Sequence, residues 1–301
     1  MLNLKDYWEL YKRELRTNVR ENSFYRYTAE IEKIAEKVQS FIEKPIKYLN
    51  KEDLIETKEI LAQYYKTSSI NRFLVLQRKL FLIALKENQV KNNIFENIKI
   101  PKKDNTIVTN IISVEDFKKI IAEIEREDVA LFIKLLFKTG LRHSEARALR
   151  WQDINFNINT LRIVHSMYCT TYEKFKLTDT KTKSSRRSIH IDNVLSKELQ
   201  KYREKSKYKK NNEFIFCNDQ GLPRIDSFGK YQLSKATKKL DLKVSMHGLR
   251  HSHASILLKN KVNILLISRR LGHSDIQTTL KLYCHLIEED DNEIVKLMGN
   301  I

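Results

Sequence analysis

Six glycines and three prolines in 301 residues leave this chain few places to turn sharply. Sandwiches and barrels of many short strands need a turn roughly every 8–12 residues, and turns draw on Gly and Pro for backbone conformations that other residues resist. A chain so poor in both is expected to be mainly helical. Hydrophobic residues make up 41% and charged ones 31%, enough apolar matter to bury real cores and too much for a disordered polymer.

The apolar spacing bears this out over the first third. From Asp6 to about Glu96 hydrophobic residues recur at helical intervals: Leu4, Tyr7, Trp8, Leu10, Tyr11 and Leu15 form one stripe, and Tyr27, Ile31, Ile34 and Val38 another. Ser23 and Thr28 are expected helix starters, and Asn50-Lys51-Glu52-Asp53 resembles a capped entry to a helix over Leu54–Tyr64. Phe73, Leu76, Leu80 and Ile83 form a further stripe in a helix that Ser68 and Ser69 precede. Four or five such helices make one domain over 1–100. The polar stretch from Ile100 to Asn105, broken by Pro101, reads as a linker, placed at 101–110.

Beyond it, helices are expected over Ser113–Glu125 and Val129–Thr139, the second closed by Gly140. After Leu149 the period shortens to two: Asp153–Asn157, Leu161–Ser166 and Ser188–Ile191 alternate as strands. Helices return at Asn193–Arg203, Asp226–Lys239, His247–Lys259, Ile264–Leu271 and Ile276–Leu286. The second domain then spans 111–287, with 288–301 as a tail. The expected fold class is mainly α with a small β-sheet, in two domains.

Lys and Arg outnumber Asp and Glu 56 to 38, a net charge of +18 that favours polyanions, nucleic acid foremost. Residues 1–105 hold 21 Lys/Arg against 15 Asp/Glu, a net of +6, which leaves +12 for the rest; two basic lobes on a short linker could clamp a duplex. Lys201–Lys210 carries six basic residues in ten and reads first as a solvated helix end, second as a DNA contact. Cys169, Cys217 and Cys284 lie far apart, which supports neither a disulfide framework nor a structural zinc site. No apolar run nears the roughly 20 residues of a membrane span, and the charged opening MLNLKDYWELYKRELRT is not a secretory leader. A cytoplasmic protein without a membrane partner is expected.

The second domain concentrates polar residues that chemistry could use. Arg142 follows Thr139-Gly140-Leu141; His247 and Arg250 sit three apart on one helical face in HGLRHSH; His273 lies in LGHSD, and Tyr283 ten residues later in TTLKLYCH. Lys181 and Lys183 lie in TKTKSSRRSIHI, on the approach to the third strand. Singly, each is an ordinary surface or core residue. Together, TGLRHSEARALRW, KTKSSRRSIHI, HGLRHSHAS and LGHSDIQTTLKLY resemble the four motifs of the tyrosine recombinase, or phage integrase, family from about Ile111 to Leu286. The stretch from Ser68 to Pro101 is similar to the second half of that family's core-DNA-binding domain.

The resemblance implies a helical core-binding domain followed by a mixed, mainly helical catalytic domain, and DNA strand exchange without metal or nucleotide cofactor. It makes Arg142 and Arg250 the pair that grips the scissile phosphate, Tyr283 the nucleophile, His247 the candidate base and His273 a phosphate-orienting group. Lys181 would protonate the leaving 5′-oxygen, with Lys183 the alternative, and Glu145 would support Arg142. It further implies a homotetramer on two attachment sites in duplex DNA, a Holliday junction, and room for accessory DNA-bending or directionality proteins. The tail, with Ile294, Val295, Leu297 and Met298, would dock on a neighbouring protomer or pack on its own domain. Gly248 stands where the family often has aspartate, and since helices begin almost at Met1 no separate arm-binding domain is expected.

Two rival readings remain at this level. His247 and His251 at i, i+4, with His253 nearby, could pair on zinc, but the run has no HExxH, no third ligand at suitable spacing and no nuclease-like paired carboxylates. A DNA-binding regulator without catalysis would suit the basic helices, yet gives no reason for the arginine, histidine and tyrosine set.

Overall fold

The computed structural model describes residues 1–19, 21–95, 111–169, 175–179, 186–273 and 275–283, with the side chains at 21–22, 169, 179, 278 and 281–283 left out. The expected linker and tail, and Lys181 and Lys183, lie outside the described residues. The chain divides into two compact units, Met1–Thr106 and Ile107–Ile301.

The first unit is helical: α1 (Leu4–Asn18), α2 (Glu21–Ala35), α3 (Gln39–Glu43), α4 (Lys51–Tyr64) and α5 (Thr67–Lys86). Asparagine opens two of these helices. Asn50 Oδ1 accepts from the Asp53 N–H at 2.9 Å while Asp53 Oδ2 accepts from the Asn50 N–H at 2.9 Å, and Asn3 and Asp6 repeat the pattern on α1. Each cap satisfies N–H groups that the helix cannot, which is worth about 1 kcal/mol. Most of the stripe residues read from the sequence meet inside, with Tyr7, Trp8, Ile31, Ile34, Leu54, Phe73 and Leu80 in one core, whereas Leu10 of the first stripe faces outward at 55% exposure. Ser23 and Thr28 do not start helices; both lie within α2, where the buried Thr28 hydroxyl donates back to the Phe24 carbonyl at 3.0 Å. Likewise α5 begins at Thr67, ahead of Ser68 and Ser69.

The second unit is built round α7 (Glu127–Thr139), which is buried at Val129, Phe132, Ile133, Leu135 and Leu136. Before it comes α6 (Val114–Ala122), capped by Ser113, and after it α8 (His143–Ala148). A three-stranded antiparallel sheet follows in the order β1 (Ile154–Asn155), β2 (Thr160–Ile163), β5 (Arg187–His190), with Leu161 facing Ile154 on one side and Ile189 on the other. Between β2 and β5 the chain forms a second, two-stranded antiparallel sheet, β3 (His165–Cys169) and β4 (Phe175–Asp179), which the periodicity did not separate. Its apolar side places Met167, Phe175 and Leu177 in a satellite cluster with Ala148 and Phe214.

The remaining helices are α9 (Asn193–Lys205), α10 (Lys230–Lys239), α11 (Met246–Lys259), α12 (Ile264–Leu271) and α13 (Ile276–Tyr283). α10 starts four residues later than expected because residues 226–229 form a turn that ends at Gly229 in the left-handed region, φ +74°; Asp226 instead accepts from Arg147 Nη2 at 3.0 Å and Lys230 Nζ at 2.6 Å. Part of the basic run at Lys201–Lys210 is tied into its own fold: Arg203 donates to the Lys209 carbonyl and lies 5.4 Å from the Trp151 ring centre, and Lys205 pairs with Glu127. No described helix is long and apolar enough to cross a membrane.

Candidate active site

The site gathers at the C-terminal end of α12. Gly272 ends that helix with φ +71°, so the His273 N–H turns back onto the Ser268 carbonyl at 3.1 Å and the last carbonyls of the helix point outward. Three arginines from three elements take those carbonyls in sequence. Arg187, at the start of β5, donates from Nε to the Arg270 carbonyl at 2.6 Å. Arg250, on α11, donates from Nη2 to the Leu271 carbonyl at 2.8 Å. Arg142, which precedes α8, donates from Nη2 to the Gly272 carbonyl at 3.2 Å. A helix C-terminus carries partial negative charge, so cations are favoured there.

Gly140 is the second anchor. It closes α7 at φ +69°, a conformation that costs an L side chain energy but not glycine, and its carbonyl accepts from Arg250 Nη1 at 2.7 Å. Arg250 is thus gripped by the ends of two helices and is only 2% exposed, whereas the Arg142 side chain is 36% exposed.

Glu145, in the first turn of α8, binds two of the arginines. Its Oε1 accepts from Arg142 Nη1 at 2.7 Å and Arg187 Nη1 at 3.3 Å; its Oε2 accepts from Arg187 Nη2 at 2.9 Å and from the Arg142 backbone N–H at 3.0 Å. Burial by itself would raise the Glu145 pKa, but the Arg187 guanidinium first, and then Arg142, outweigh it and hold the carboxyl below its ordinary value. Three guanidinium charges against one carboxylate leave this cluster at +2.

The imidazoles nearby are neutral at pH 7. His273 is lowered to about 4 by burial and then by Arg250, Arg142 and Arg187; its Nδ1 lies 2.7 Å from the Thr279 hydroxyl of α13. His247 opens to solvent on one side, yet crowding by protein on the other, followed by Arg250 and Arg142, lowers it too. His251 stands edge-on to His247 with ring centres 4.5 Å apart and is lowered to about 4. His253 belongs to the scaffold: Nδ1 meets the Phe137 carbonyl at 2.9 Å and Nε2 accepts from Arg270 Nε at 3.1 Å. Among the described residues, no group of three or more His, Cys, Asp or Glu is placed to hold a metal ion.

Of the residues singled out by sequence, Arg142, Glu145, His247, Arg250 and His273 come together here. Tyr283 is the last helical residue of α13, and its side chain is not among those described. Arg187 and Thr279 were not anticipated. The local signals were slight: Arg187 is one of two adjacent arginines in a basic run, and Thr279 one of two adjacent threonines, each joined to the site only through folding.

A sequence model described as the phage integrase family matches residues 110–290. The integrase of Staphylococcus phage L54a is 29% identical over 265 residues, covering 78% of this chain and 75% of that protein. The ICEBs1 integrase of Bacillus subtilis (strain 168) is 28% identical over 257 residues, covering 81% and 68%. In fold, the chain is similar to the Tn1549 transposon integrase solved with a circular intermediate DNA, at a TM-score of 0.81 and 18% identity over 100% of both chains. It is similar also to a lambda integrase dimer bound to a core site, at a TM-score of 0.70 and 15% identity over 96% of each. With the family matched across more than half of its length, the chain belongs to the phage integrase family and is a site-specific tyrosine recombinase of the kind phages and mobile elements carry.

Proposed function

We propose that Arg142 and Arg250 bind the scissile phosphate of a DNA strand and that Tyr283 attacks it. The observation that supports this best is the pair of guanidinium groups from separate motifs, hung on adjacent carbonyls beside His273 in a cluster of charge +2. Attack at phosphorus adds negative charge to the non-bridging oxygens. A guanidinium meets that charge with paired N–H groups and stays ionised at any working pH.

A phenol with a pKa of about 10 must lose its proton to attack at neutral pH. His247, held neutral, accepts it. As the tyrosyl oxygen bonds to phosphorus, the bond to the 5′-oxygen breaks, and Lys181 (or Lys183) gives that oxygen a proton. The product is a 3′-phosphotyrosyl link beside a free 5′-hydroxyl, and reversal of the same steps rejoins a strand without ATP. His273 donates from Nε2 to a phosphate oxygen, its tautomer set by the Thr279 hydroxyl donating into Nδ1.

The substrate is double-stranded DNA with attachment sites, as the net charge of +18 favours and as similar integrases solved on DNA suggest. Residues 1–100 serve as the core-DNA-binding domain, 101–110 as the linker and 111–287 as the catalytic domain. Four protomers act on two sites in the cytoplasm, exchanging strands through a Holliday junction, with accessory DNA-bending or directionality proteins as further partners.

The test is covalent capture. Nicked suicide duplexes tiled across the DNA flanking the gene are incubated with protein in EDTA and run on denaturing gels. An adduct from wild type and none from Tyr283→Phe is expected. An adduct that persists in Tyr283→Phe removes Tyr283 from the mechanism, and one that needs a divalent metal removes the cofactor-free reading.

A further inference from the structure

Arg187 lies in the KTKSSRRSIHI segment without a role expected from sequence, but its contacts give it a task. We infer that Arg187 is a positioning residue that shares the Glu145 carboxylate, and so keeps Arg142 available to a phosphate. The inference rests on the reading of Arg142 as a phosphate ligand and deepens it.

A carboxylate offers about four lone-pair sites, and all four contacts at Glu145 are with arginine. Arg187 takes both oxygens with its two terminal nitrogens, at 3.3 and 2.9 Å. The Arg142 guanidinium reaches the carboxylate through Nη1 alone and spends Nη2 on the Gly272 carbonyl. The burial follows the same division. Glu145 and Arg187 are 2% and 7% exposed in their side chains, Arg142 36%. The buried charge is therefore matched by a buried guanidinium, and the more exposed one keeps its charge for an incoming anion.

The site is shaped for this arginine. A Cβ at residue 272 would lie 2.7 Å from Arg187 Nη1, so the helix-ending glycine makes room for the guanidinium. Its Nε bond to the Arg270 carbonyl also ties the first residue of β5 to the end of α12.

Without Arg187, Arg142 and Glu145 would face each other one to one. Their local charge would fall from +1 to zero. Arg142 would turn its fork onto the buried carboxylate, which would then stand beside the phosphate and repel it. A buried carboxylate left short of partners also takes up a proton more readily.

The test uses full-length protein and a cleavable nicked duplex, with adduct formation measured in single turnover at saturating protein and duplex affinity measured separately. Arg187→Gln should cleave about 100-fold more slowly with little change in affinity, and Arg187→Lys about tenfold more slowly, because an ammonium keeps the charge and loses the fork. Adding Glu145→Gln to Arg187→Gln should recover about tenfold, because it removes the unmatched carboxylate. The gap between the single and the double variant should narrow as pH falls from 8 to about 5.5, as Glu145 takes up a proton, a response that loss of a merely structural contact does not produce.

Cleavage by Arg187→Gln within about threefold of wild type, or a loss that Glu145→Gln relieves at no pH, overturns the inference. Should Arg187→Gln not fold, the double variant decides: cleavage within about 30-fold of wild type supports the charge-sharing role, and a larger loss overturns it. Arg142→Gln separates the two levels. If it cleaves normally, the phosphate-ligand reading itself fails; if it is inactive while Arg187→Gln cleaves within about threefold of wild type, only the role of Arg187 fails.

Discussion

Gly140→Ala tests the framework of the site in a single methyl group. The backbone there sits at φ +69°, where an alanine costs about 1–2 kcal/mol. The added Cβ would come within 2.7 Å of His253 Cδ2 and 2.8 Å of Leu271 Cδ2. Neither neighbour can step aside: His253 is held at both ring nitrogens, and Leu271 is fully buried at the end of α12. Overpacking of this kind costs about 1–3 kcal/mol, while stiffening of the unfolded chain returns about 0.4–1 kcal/mol. The net expectation is a loss of about 3 kcal/mol, within a range of roughly 1–4.5. Trp8 lies in the first unit and Trp151 is buried in the second, so denaturant unfolding followed by fluorescence in a Trp8→Phe background reports on the second unit alone. Adduct formation should fall too, because the Gly140 carbonyl holds Arg250. A midpoint corresponding to less than about 0.5 kcal/mol of change would refute both the conformational and the steric argument.

Thr279→Val should leave duplex affinity intact and slow adduct formation by about two- to tenfold, the worth of one ordinary hydrogen bond, because nothing then fixes the His273 tautomer; an unchanged rate would count against that role. The acid limb of cleavage should fall below pH 6.5, since His247 acts as a base only when neutral and its pKa is lowered; a midpoint above 6.5 in a pH–rate profile contradicts its assignment. His253 sits near 3 when folded and near 6.5 when unfolded, so the unfolded chain takes the proton first as pH falls. Its stabilising effect is complete above about 6.5 and lost at up to ~1.4 kcal/mol per pH unit below that, and denaturation midpoints that match at pH 7 and 5 would exclude it. Asn50→Ala should cost the first unit about 1 kcal/mol, read from Trp8 fluorescence, and an unchanged midpoint would deny the cap any weight.

What the sequence disclosed follows from how local each feature is. The Asn50/Asp53 cap, the Gly140 stop and the placing of Arg142 three residues before Glu145 all act within one helical turn, so their spacing survives in the chain as written. The sheet of β1, β2 and β5 was legible because Ile154, Leu161 and Ile189 alternate against polar neighbours. β3 and β4 were not, since they bury only Met167 and half-buried Phe175 and Leu177 in a minor cluster and leave a weak alternation. Thr28 misled because threonine favours caps by composition, yet the same hydroxyl can bond back within a helix when the position is buried. Arg187 and Glu145 meet across 42 residues of chain, and no spacing rule reaches that far.

The end of α12 has one more consequence. Arg187, Arg250 and Arg142 do not each find their own place; all three take their bearings from consecutive peptide groups of a single turn. Their mutual spacing is therefore inherited from the fixed pitch of a helix rather than negotiated among flexible side chains. The strand and the two helices that carry them can drift in sequence and in small displacements while the constellation keeps its dimensions. The same coupling removes any graded failure, because a slip of that one turn misaligns all three guanidinium groups in a single step.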